Sequence, residues 1–432
     1  MSNRNPNLLL LSKFIFQELL PNLTFTARWL VLALLIGTLV GSASALFLLS
    51  LNWVTNYRES NRWIILFLPF GGFIIGWIYH RYGTSVVKGN NQLLEEFYNP
   101  LKVIPLKMAP LVLIGTLLTH LFGGSAGREG TAVQMGGAIA DQFTKWFKLT
   151  DGDRKMVITV GVAAAFASVF GTPLAGAVFA LEWLVVGRLR YESILPAFIA
   201  AVIANYACEG IWQVHHTEYT VPIVPPLDLI NVLWIILAGI CFGLAARLFS
   251  KSTHFWSKLF SHKIKYPPFR PLVGGVIIAA SVFIIGDTKY IGLGIPTIVD
   301  SFSQDLPWYD FLVKIAKTSL TLGSGFKGGE VTPLFFTGAT LGNALSGIIP
   351  LPVALLAGMG FVGVFSGATN TPLACTLMGI ELFGAIPGVY IGLACVLAYL
   401  FSGHSGIYHS QIIGSPKTTR LINKKGKKLG DL

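Results

Sequence analysis

The chain has 432 residues, of which 53% are hydrophobic and only 12% are charged, and its mean hydropathy is +0.65. This composition is too apolar for an ordinary soluble domain. Residues 331–403 contain a single Asp, Glu, Lys, Arg or His, which is Glu381, and residues 156–181 contain none. Such runs exceed the roughly 20 residues that cross a bilayer. The sequence therefore predicts an all-α polytopic membrane protein.

In chain order, residues 1–25 come first, and their short amphipathic stretch 7–20 predicts an interfacial helix without a cleavable signal peptide. Hydropathy then marks a series of candidate membrane segments, many of them shorter than a full span. These are 28–51, 63–79, 108–122, 129–143, 156–169, 174–186, 195–206, 227–249, 272–285, 309–322, 332–341, 353–365, 372–383, 388–400 and a last short piece at 406–413.

Many of the candidate segments are interrupted by Gly or Pro, of which the chain has 47 and 22. Non-helical backbone at membrane depth is tolerated only where it is buried in protein or lines a cavity. In transporters, such broken helices build the substrate site near the middle of the membrane. We therefore expect short, broken and re-entrant helices around a central site.

The chain also repeats itself at a constant spacing of 199 residues. The matching pairs are Gly124-Ser125 with Gly323-Ser324, Arg128 with Lys327, Gly130 with Gly329, Thr172-Pro173-Leu174-Ala175 with Thr371-Pro372-Leu373-Ala374, and Glu182 with Glu381. These pairs predict two membrane repeats, residues 26–210 and 226–414, joined by a linker at 211–225. We expect the two repeats to have inverted topology.

The net charge of +12 is concentrated at helix flanks and in the basic tail, residues 415–432. Binding to nucleic acid or lipid headgroups is one interpretation of this tail. The positive-inside rule is the simpler one, and it places the C-terminus in the cytoplasm without a nucleic-acid partner. The four cysteines lie in hydrophobic stretches without a CxxC pair, and the eight histidines are scattered, with His215 and His216 in a polar loop where we expect them to be solvated. We predict no disulfide, metal or cofactor.

One stretch, residues 123–134, organises the chain around a candidate anion site. Glycines here leave backbone N–H groups bare, and the helix that follows aims the positive end of its dipole at whatever lies in front of it. Glu129 lies at that point, and an ionisable residue in an intramembrane loop is a functional candidate. We interpret Glu129 as a protonatable side chain that competes with an anion; a buried structural pair with Arg128 is the alternative.

At these residues the chain resembles the CLC family of chloride channels and anion/proton antiporters. Residues 127–134, Gly-Arg-Glu-Gly-Thr-Ala-Val-Gln, resemble the family's GREGPxVQ motif, and residues 170–182 and 371–374 also look like the family. The resemblance covers about residues 26–414. It implies a CLC-type fold of two inverted repeats and a homodimer with one pore per subunit, whose apolar contact face comes from helices late in each half.

Where the chain departs from the family pattern, it resembles the fluoride/proton antiporter branch of the family. Chloride-handling members carry GSGIP where this chain has Lys88-Gly89-Asn90-Asn91-Gln92, and GxFxP where it has 328–333, Gly-Gly-Glu-Val-Thr-Pro. The proline of GREGP is replaced by Thr131. The proton-relay glutamate of chloride/proton antiporters aligns with Trp183, which cannot carry a proton.

Fluoride chemistry is consistent with that branch, because stripping water from a small, strongly hydrated anion is costly and requires several short, charge-assisted donors. Asn90 offers two amide donors and Thr332 a hydroxyl. Helix N-termini offer backbone N–H groups. The expected anion-binding residues are Gly89, Asn90, Asn91, Gly127, Arg128, Gly130, Gly329, Val331, Thr332 and Tyr408.

For several of these residues, a structural role is the alternative to a role at the anion site. Glu330 is a candidate for anion coupling or proton handling, or a helix N-terminal acid. Asn90 could be an N-cap and Thr332 could bond back to its own helix. Tyr408, expected in the last short helix, faces the anion or anchors the membrane interface. Glu182 and Glu381 are predicted to satisfy buried backbone groups.

The resemblance implies fluoride export from the cytoplasm driven by proton entry. Because only 18 residues follow Gly414, without a nucleotide-binding module, we expect a bacterial inner membrane. The alternative within the same family is a chloride/proton antiporter or a chloride channel. An intramembrane enzyme would need a nucleophile with its base, or metal ligands, at membrane depth; the sequence has no HExxH motif, and we expect no enzyme.

Overall fold

The structure is a computed structural model that describes residues 15–432, without the side chains of residues 15, 18 and 285. The protein is an all-α polytopic membrane protein. Four stretches are long and apolar enough to span a membrane, namely Leu20–Ser60, Arg62–Tyr82, Tyr191–Ile211 and Leu229–Lys263. The expected interfacial helix at 7–20 falls largely outside the described residues; from Ile15 the chain runs through one π-helical turn into the first long helix.

Helices of eight residues or more, with one short helix between them, build both halves. In the first half these are α1 (Leu20–Ser60), α2 (Leu68–Tyr82), α3 (Asn90–Tyr98), α4 (Met108–Leu121), α5 (Glu129–Trp146), α6 (Asp151–Phe170), α7 (Pro173–Glu182) and α8 (Ile194–Tyr206). In the second half they are α9 (Leu229–Lys263), α10 (Phe269–Ile285), α11 (Ile295–Asp300), α12 (Asp310–Ser324), α13 (Val331–Leu345), α14 (Val353–Thr369), α15 (Pro372–Phe383) and α16 (Gly388–Phe401).

Short elements complete the chain. A parallel pair of two-residue strands, β1 (Val185–Val186) and β2 (Ile412–Ile413), aligns Val185 with Ile412. Short 3₁₀ helices lie at Arg62–Phe67, Thr84–Val86, Tyr191–Ser193, Thr419–Lys424 and Leu429–Asp431, and a π-helical turn lies at Ala207–Ile211.

The 199-residue spacing of the sequence is repeated in the helix ends. Helix α6 ends at Gly171 (φ 73°) and α14 at Asn370 (φ 63°), both left-handed residues that stop a helix. The next helices begin at Pro173 and Pro372, where proline suits the first turn because its missing N–H would have no partner there. The same local signals therefore end and restart the chain at corresponding positions in both halves.

Packing follows the same correspondence. Helix α5 packs on α6 as α13 packs on α14, and α1 packs on α8 as α9 packs on α16. The two halves join at two pairs of helices that occupy corresponding positions in the repeat. Helix α2 packs on α10, and α7 packs on α15. A two-fold relation between the halves accounts for such self-matched contacts.

Glu182 and Glu381 lie at this junction between the halves. The Glu182 carboxylate accepts the N–H groups of Leu373 (3.1 Å) and Ala374 (2.8 Å) at the start of α15. Glu381 accepts the corresponding groups of Leu174 (2.9 Å) and Ala175 (2.8 Å) at the start of α7. Each acid thus satisfies helix N-terminal donors of the opposite half.

The last predicted segment, 406–413, is not a helix. Its backbone turns and enters β2, and the tail that follows folds back on it. The N–H groups of Gly426 and Leu429 donate to the carbonyls of Ile413 and Gln411, at 2.8 and 2.9 Å. The segment's backbone groups are paired with strand β1 and the tail rather than within one helix, which hydropathy alone does not reveal. Residues 415–432 are therefore packed against the membrane region.

Candidate anion-transport site

Two glycine loops cross at the centre of the molecule. Gly127 and Gly329 form an antiparallel bridge in which each N–H donates to the other's carbonyl, at 2.6 and 2.8 Å. A Cβ atom on Gly329 would lie 2.6 Å from the backbone N of Gly130, so no side chain fits at the crossing. The bridge brings the N-termini of α5 and α13 together, as the matching motifs predict.

Glu129, the first residue of α5, is buried at this crossing with 1% of its surface exposed. Its Oε1 accepts the Thr332 hydroxyl at 2.5 Å, and its Oε2 accepts the N–H of Thr332 at 3.1 Å. Oε2 also accepts the N–H of Arg128 at 3.1 Å. The Thr332 hydroxyl thus donates to the carboxylate rather than back to its own helix.

These contacts place a negative group on the N-terminus of another helix. Thr332 is the second residue of α13, where unpaired N–H groups and the helix dipole favour an anion. The Arg128 Nε lies 3.5 Å from Glu129 Oε1, so the ion pair that was the structural alternative for Glu129 is present beside the helix contacts. The Glu129 carboxylate therefore occupies donors that a free anion could use.

A second group of polar side chains surrounds Gly130. A Cβ atom on Gly130 would lie 3.1 Å from the Asn90 amide Nδ2 and 3.6 Å from Glu330 Oε2. Asn90 begins α3, directly after Gly89 (φ 55°), and no side-chain cap is formed there. The Asn90 Oδ1 is buried without a hydrogen-bond partner among the described residues. The Asn90 amide is therefore free to bind something other than its own helix.

Glu330 differs from Glu129 in its surroundings. It precedes α13 as the N-cap residue, yet its side chain does not cap the helix. Within residues 15–432 its carboxylate takes part in no salt bridge. It lies on the Asn90 side of the crossing, whereas Glu129 is held by Thr332. The site thus contains two carboxylates, one bound to helix donors and one that has no cationic partner in the described part of the chain.

Helix α3, which carries Asn90, is held at its other end by a buried charge network. Arg154 of α6 donates to Asp141 of α5 (2.8 Å to each oxygen) and to Glu96 of α3 (3.1 Å). The Asn91 side-chain oxygen accepts the N–H of Ser410 at 3.0 Å. Asn91 therefore links α3 to the segment after α16, while Asn90 lies at the crossing.

Tyr408 is buried on that same segment. Its ring meets Trp183 edge-on, with centroids 5.4 Å apart. Trp183 is itself fully buried, and its carbonyl accepts the Gln411 side chain at 2.6 Å. Tyr408 is thus not at an exposed interfacial position, although it lies outside a helix.

Three residues near Glu129 were not among the predicted site residues. Gln134 donates to the Gly130 carbonyl at 3.1 Å and packs on Gly89. His216 and Tyr219 from the linker line a small cavity of about 20 Å³ together with Glu129. The His216 side chain is only 11% exposed and lies 3.4 Å from Glu209, so the expectation that it is solvated is wrong.

A wide vestibule of about 720 Å³ adjoins that small cavity. Arg128, Thr217 and Ile295 line both spaces. Basic side chains dominate the charged lining, which contains Arg58, Arg62, Arg128, Lys289 and His215 beside the acids Glu59 and Asp287. This lining favours anions at the entrance to Glu129.

Residues 123–127 also spell GxSxG, a pattern found at the nucleophile of many hydrolases. The Ser125 hydroxyl is buried, donates to the Tyr290 carbonyl at 2.9 Å and lies 2.8 Å from the Thr318 hydroxyl. These contacts place Ser125 in the packing between the halves.

Helix N-termini that converge on a buried carboxylate, inside a polytopic helical protein, define a membrane anion-transport protein. Residues 71–403 match the model of the voltage gated chloride channel family. The chain belongs to this family, the CLC proteins, and the resemblance found in the sequence is confirmed.

Three similar proteins can be compared with the chain. The chain is 50% identical over 416 residues to a protein of Pseudomonas syringae pv. tomato named chloride/fluoride channel protein, covering 95% of this chain and 92% of the relative. A solved CLC-type fluoride/proton antiporter is 35% identical, with a TM-score of 0.87 over 89% of this chain and 98% of the other. A slow cyanobacterial chloride/proton antiporter, 20% identical over 87% of this chain and 94% of its own, has a TM-score of 0.77 and shares the fold.

Proposed function

We propose that this protein exports fluoride from the cytoplasm in exchange for protons, with Glu129 as the gating and proton-coupling residue. The observation that carries the proposal is the position of the Glu129 carboxylate on the N–H and hydroxyl of Thr332. When charged, Glu129 competes with the anion for these donors. When protonated, it loses its charge and leaves them to the anion, so each anion passage is linked to a proton.

The donors around the crossing suit a small, strongly hydrated anion. Three kinds of donor can form short hydrogen bonds to the anion and so replace the water that it loses. They are the Thr332 hydroxyl, the Asn90 amide and the N-terminal N–H groups of α13. Gly89, Gly130 and Val331 supply backbone around these donors, and Arg128 supplies positive charge. Gly127 and Gly329 use their own N–H groups in the bridge between the loops, so their part in the proposed site is to hold the loops together rather than to donate to the anion. Asn91 and Tyr408 complete the proposed anion-binding set from the side of the 404–413 segment.

Glu330 is the second coupling residue in this proposal. It lies beside Gly130 and Asn90, and no cation pairs with it among the described residues. A carboxylate without such a pair changes its protonation when an anion enters or leaves next to it. Glu330 thereby handles protons on the Asn90 side of the site.

The alternative is a chloride/proton antiporter or a chloride channel. Trp183 at the position of the proton-relay glutamate favours a channel over a chloride/proton antiporter, because its side chain cannot carry a proton. The 35%-identical solved structure is of a fluoride/proton antiporter and supports fluoride exchange, whereas the name of the Pseudomonas protein covers both chloride and fluoride. The solved chloride/proton antiporter, at 20% identity, bears on the fold alone.

The protein functions in this proposal as a homodimer with one pore per subunit, in the bacterial inner membrane with its C-terminus in the cytoplasm. Large apolar side chains are exposed on the helices late in both halves. They are Leu174, Ile194, Val202, Leu373, Val389, Leu393 and Val396. In the proposed dimer a second copy covers these side chains, and helix packing replaces their contacts with lipid.

Glu129→Gln tests the proposal directly, because glutamine has a similar shape but neither binds nor releases a proton. We expect fluoride movement to persist while proton movement falls to background in liposomes followed with a fluoride electrode and a pH electrode. Glu218→Gln is the matched control, since Glu218 is exposed in the linker. Coupled proton movement that survives in the Glu129→Gln variant contradicts the proposed role of Glu129.

A further inference from the structure

A second cavity lies away from the anion site, where the tail folds back on the membrane region. Its volume is about 620 Å³. Three segments line it: the end of α9, the loop after α16 and the tail. The basic residues of this lining are Arg247, Lys251, His254, Lys258, His404, His409 and Lys424, and no Asp or Glu side chain of the described residues is part of it.

Helix α9 supplies four of these residues from one face. Arg247, Lys251, His254 and Lys258 are spaced by four, three and four residues, which places them in a row along a helix. The helix has 35 residues. At 1.5 Å per residue it exceeds the roughly 30 Å hydrocarbon core, so its polar end reaches the headgroup level.

The basic side chains of this cavity are not paired in salt bridges within the described residues, although Leu432 with its terminal carboxylate also lines the cavity. Within residues 15–432, Arg247, Lys251, Lys258 and Lys424 take part in no salt bridge. The Nδ1 atom of His404 is buried and has no hydrogen-bond partner among the described residues. A concave group of like charges repels itself and favours an anion that pairs with several of them.

We propose that the basic cavity binds a phosphate group of high charge, as in a phosphomonoester or a diphosphate. Phosphate presents several acceptor oxygens, which match the guanidinium of Arg247, the ammonium groups of Lys251, Lys258 and Lys424, and the His404 imidazole. A lipid headgroup and a soluble phosphate share this chemistry. The position at the end of α9 gives both of them access.

Binding at this cavity would also brace the segment that carries Tyr408. His404 and His409 line the cavity, and Tyr408 lies between them. The His254 Nε2 is 2.8 Å from the Gly406 carbonyl, so α9 already contacts this segment. A ligand that pairs with α9 and His404 together would hold residues 404–413 in place, next to Trp183 and the anion site.

The experiment uses the full chain in phosphatidylcholine nanodiscs, with two probes. One arm titrates pyrophosphate by calorimetry, and the other adds phosphatidic acid and counts retained lipid by native mass spectrometry. The test variant is Arg247→Gln with Lys251→Gln, and the control is Lys263→Gln with Lys265→Gln, which removes equal charge outside the cavity. We expect the test variant to lose about tenfold or more in affinity and the control to be nearly unchanged.

The charge-keeping variant Arg247→Lys with Lys251→Arg separates ligand binding from misfolding, because it should bind nearly as the wild type does. Hydrogen exchange of residues 404–413 should slow on binding in the wild type and the charge-keeping variant, and not in the test variant. Tighter binding of phosphatidic acid identifies a lipid ligand, and tighter binding of pyrophosphate identifies a soluble one. Absence of binding by both probes, or equal loss in the test and control variants, overturns the proposal. These readouts are independent of fluoride transport.

Discussion

The hydrogen-bond donors that hold the Glu129 carboxylate would bind other small anions as well. An N–H and a hydroxyl of Thr332 bind any small anion, and the α13 dipole adds to their effect. In the proposed mechanism, the swap between the Glu129 side chain and an anion follows from a change of protonation at Glu129. We propose that the rest of the site, built from Asn90 and Glu330, selects the anion that replaces the carboxylate.

Asn90→Ser should weaken the preference for fluoride over chloride, because it replaces two amide donors with one hydroxyl beside Gly130. The loss of one donor corresponds to about 1 kcal/mol, or roughly a fivefold fall in the fluoride-to-chloride ratio. Paired ion-selective electrodes on liposomes measure this ratio. Asn99→Ser, at the exposed C-terminal end of α3, is the control. An unchanged ratio in the Asn90→Ser variant removes Asn90 from the selectivity filter.

At the residue scale, the sequence identifies the parts of the site that lie in motifs. The loops around Gly127 and Gly329 meet as the repeat predicts, because both have bare glycine backbone in front of a helix. His216 and Tyr219 could not be predicted, because the irregular linker returns to Glu129 through contacts far apart in the sequence.

Among the elements, the crossing of α13 and α14 brings two helix backbones into very close approach. A Cβ atom on Gly338 would lie 1.9 Å from the Gly360 carbonyl, and one on Gly360 would lie 2.0 Å from the Gly338 carbonyl. The first half has a similar feature, since a Cβ atom on either Gly136 or Gly161 would lie 2.5 Å from an atom of the facing helix. Small residues allow such approach between membrane helices.

Gly338→Ala should therefore destabilise the protein by about 1–3 kcal/mol, because the methyl group forces α13 away from α14. Thermal unfolding in detergent, followed by circular dichroism, measures the fall in midpoint. Gly347→Ala is the control, because its Cβ would be 3.7 Å from the nearest atom outside its chain neighbours. An equal midpoint for both variants would show that the helices separate at little cost.

The docked tail depends on an uncharged histidine outside the spanning helices. Burial, together with the charges of Lys417 and Lys424, lowers the pKa of His404 to about 4. The His404 Nε2 accepts the Lys417 N–H at 3.3 Å, which only the neutral ring can do. Since the pKa of an exposed histidine is about 6.5, docking favours the neutral form.

Docking of residues 415–432 should weaken as the pH falls from about 6.5 toward 4, and be fully present above about 6.5. Hydrogen exchange at about pH 7.5 and about pH 5, expressed as protection factors, should show lower protection of the tail at the lower pH. His404→Gln keeps an acceptor without titrating, and it should remove most of this dependence. Equal protection at both pH values in the wild type contradicts the role of His404.

Helix bounds were predictable where clear stop and start signals exist. The predicted segment 372–383 matches α15 because Pro372 starts it. Helix α9 runs to Lys263, well past its predicted end at 249, since its basic last turns are helical but not apolar. The segment 406–413 was wrong as a helix because its pairing partners, β1 and the tail, lie elsewhere in the chain.

At the scale of the whole molecule, two similar halves meet at one polar crossing. The reciprocal contacts of Glu182 and Glu381 hold α7 and α15 together, while the Gly127–Gly329 bridge holds the two loops. In either half alone, the N-terminus of α7 or α15 would have no carboxylate to bind, and Glu182 or Glu381 would have no N–H donors from the other half. The proposed transport site therefore exists only when both halves are folded.

The most direct test of fluoride/proton exchange measures both anions and protons at once. Purified protein in liposomes loaded with equal fluoride and chloride is followed with two ion-selective electrodes and an external pH electrode. Fluoride/proton exchange predicts fluoride release with matching proton uptake and little chloride release. Comparable chloride release, or fluoride release without proton uptake, would contradict it.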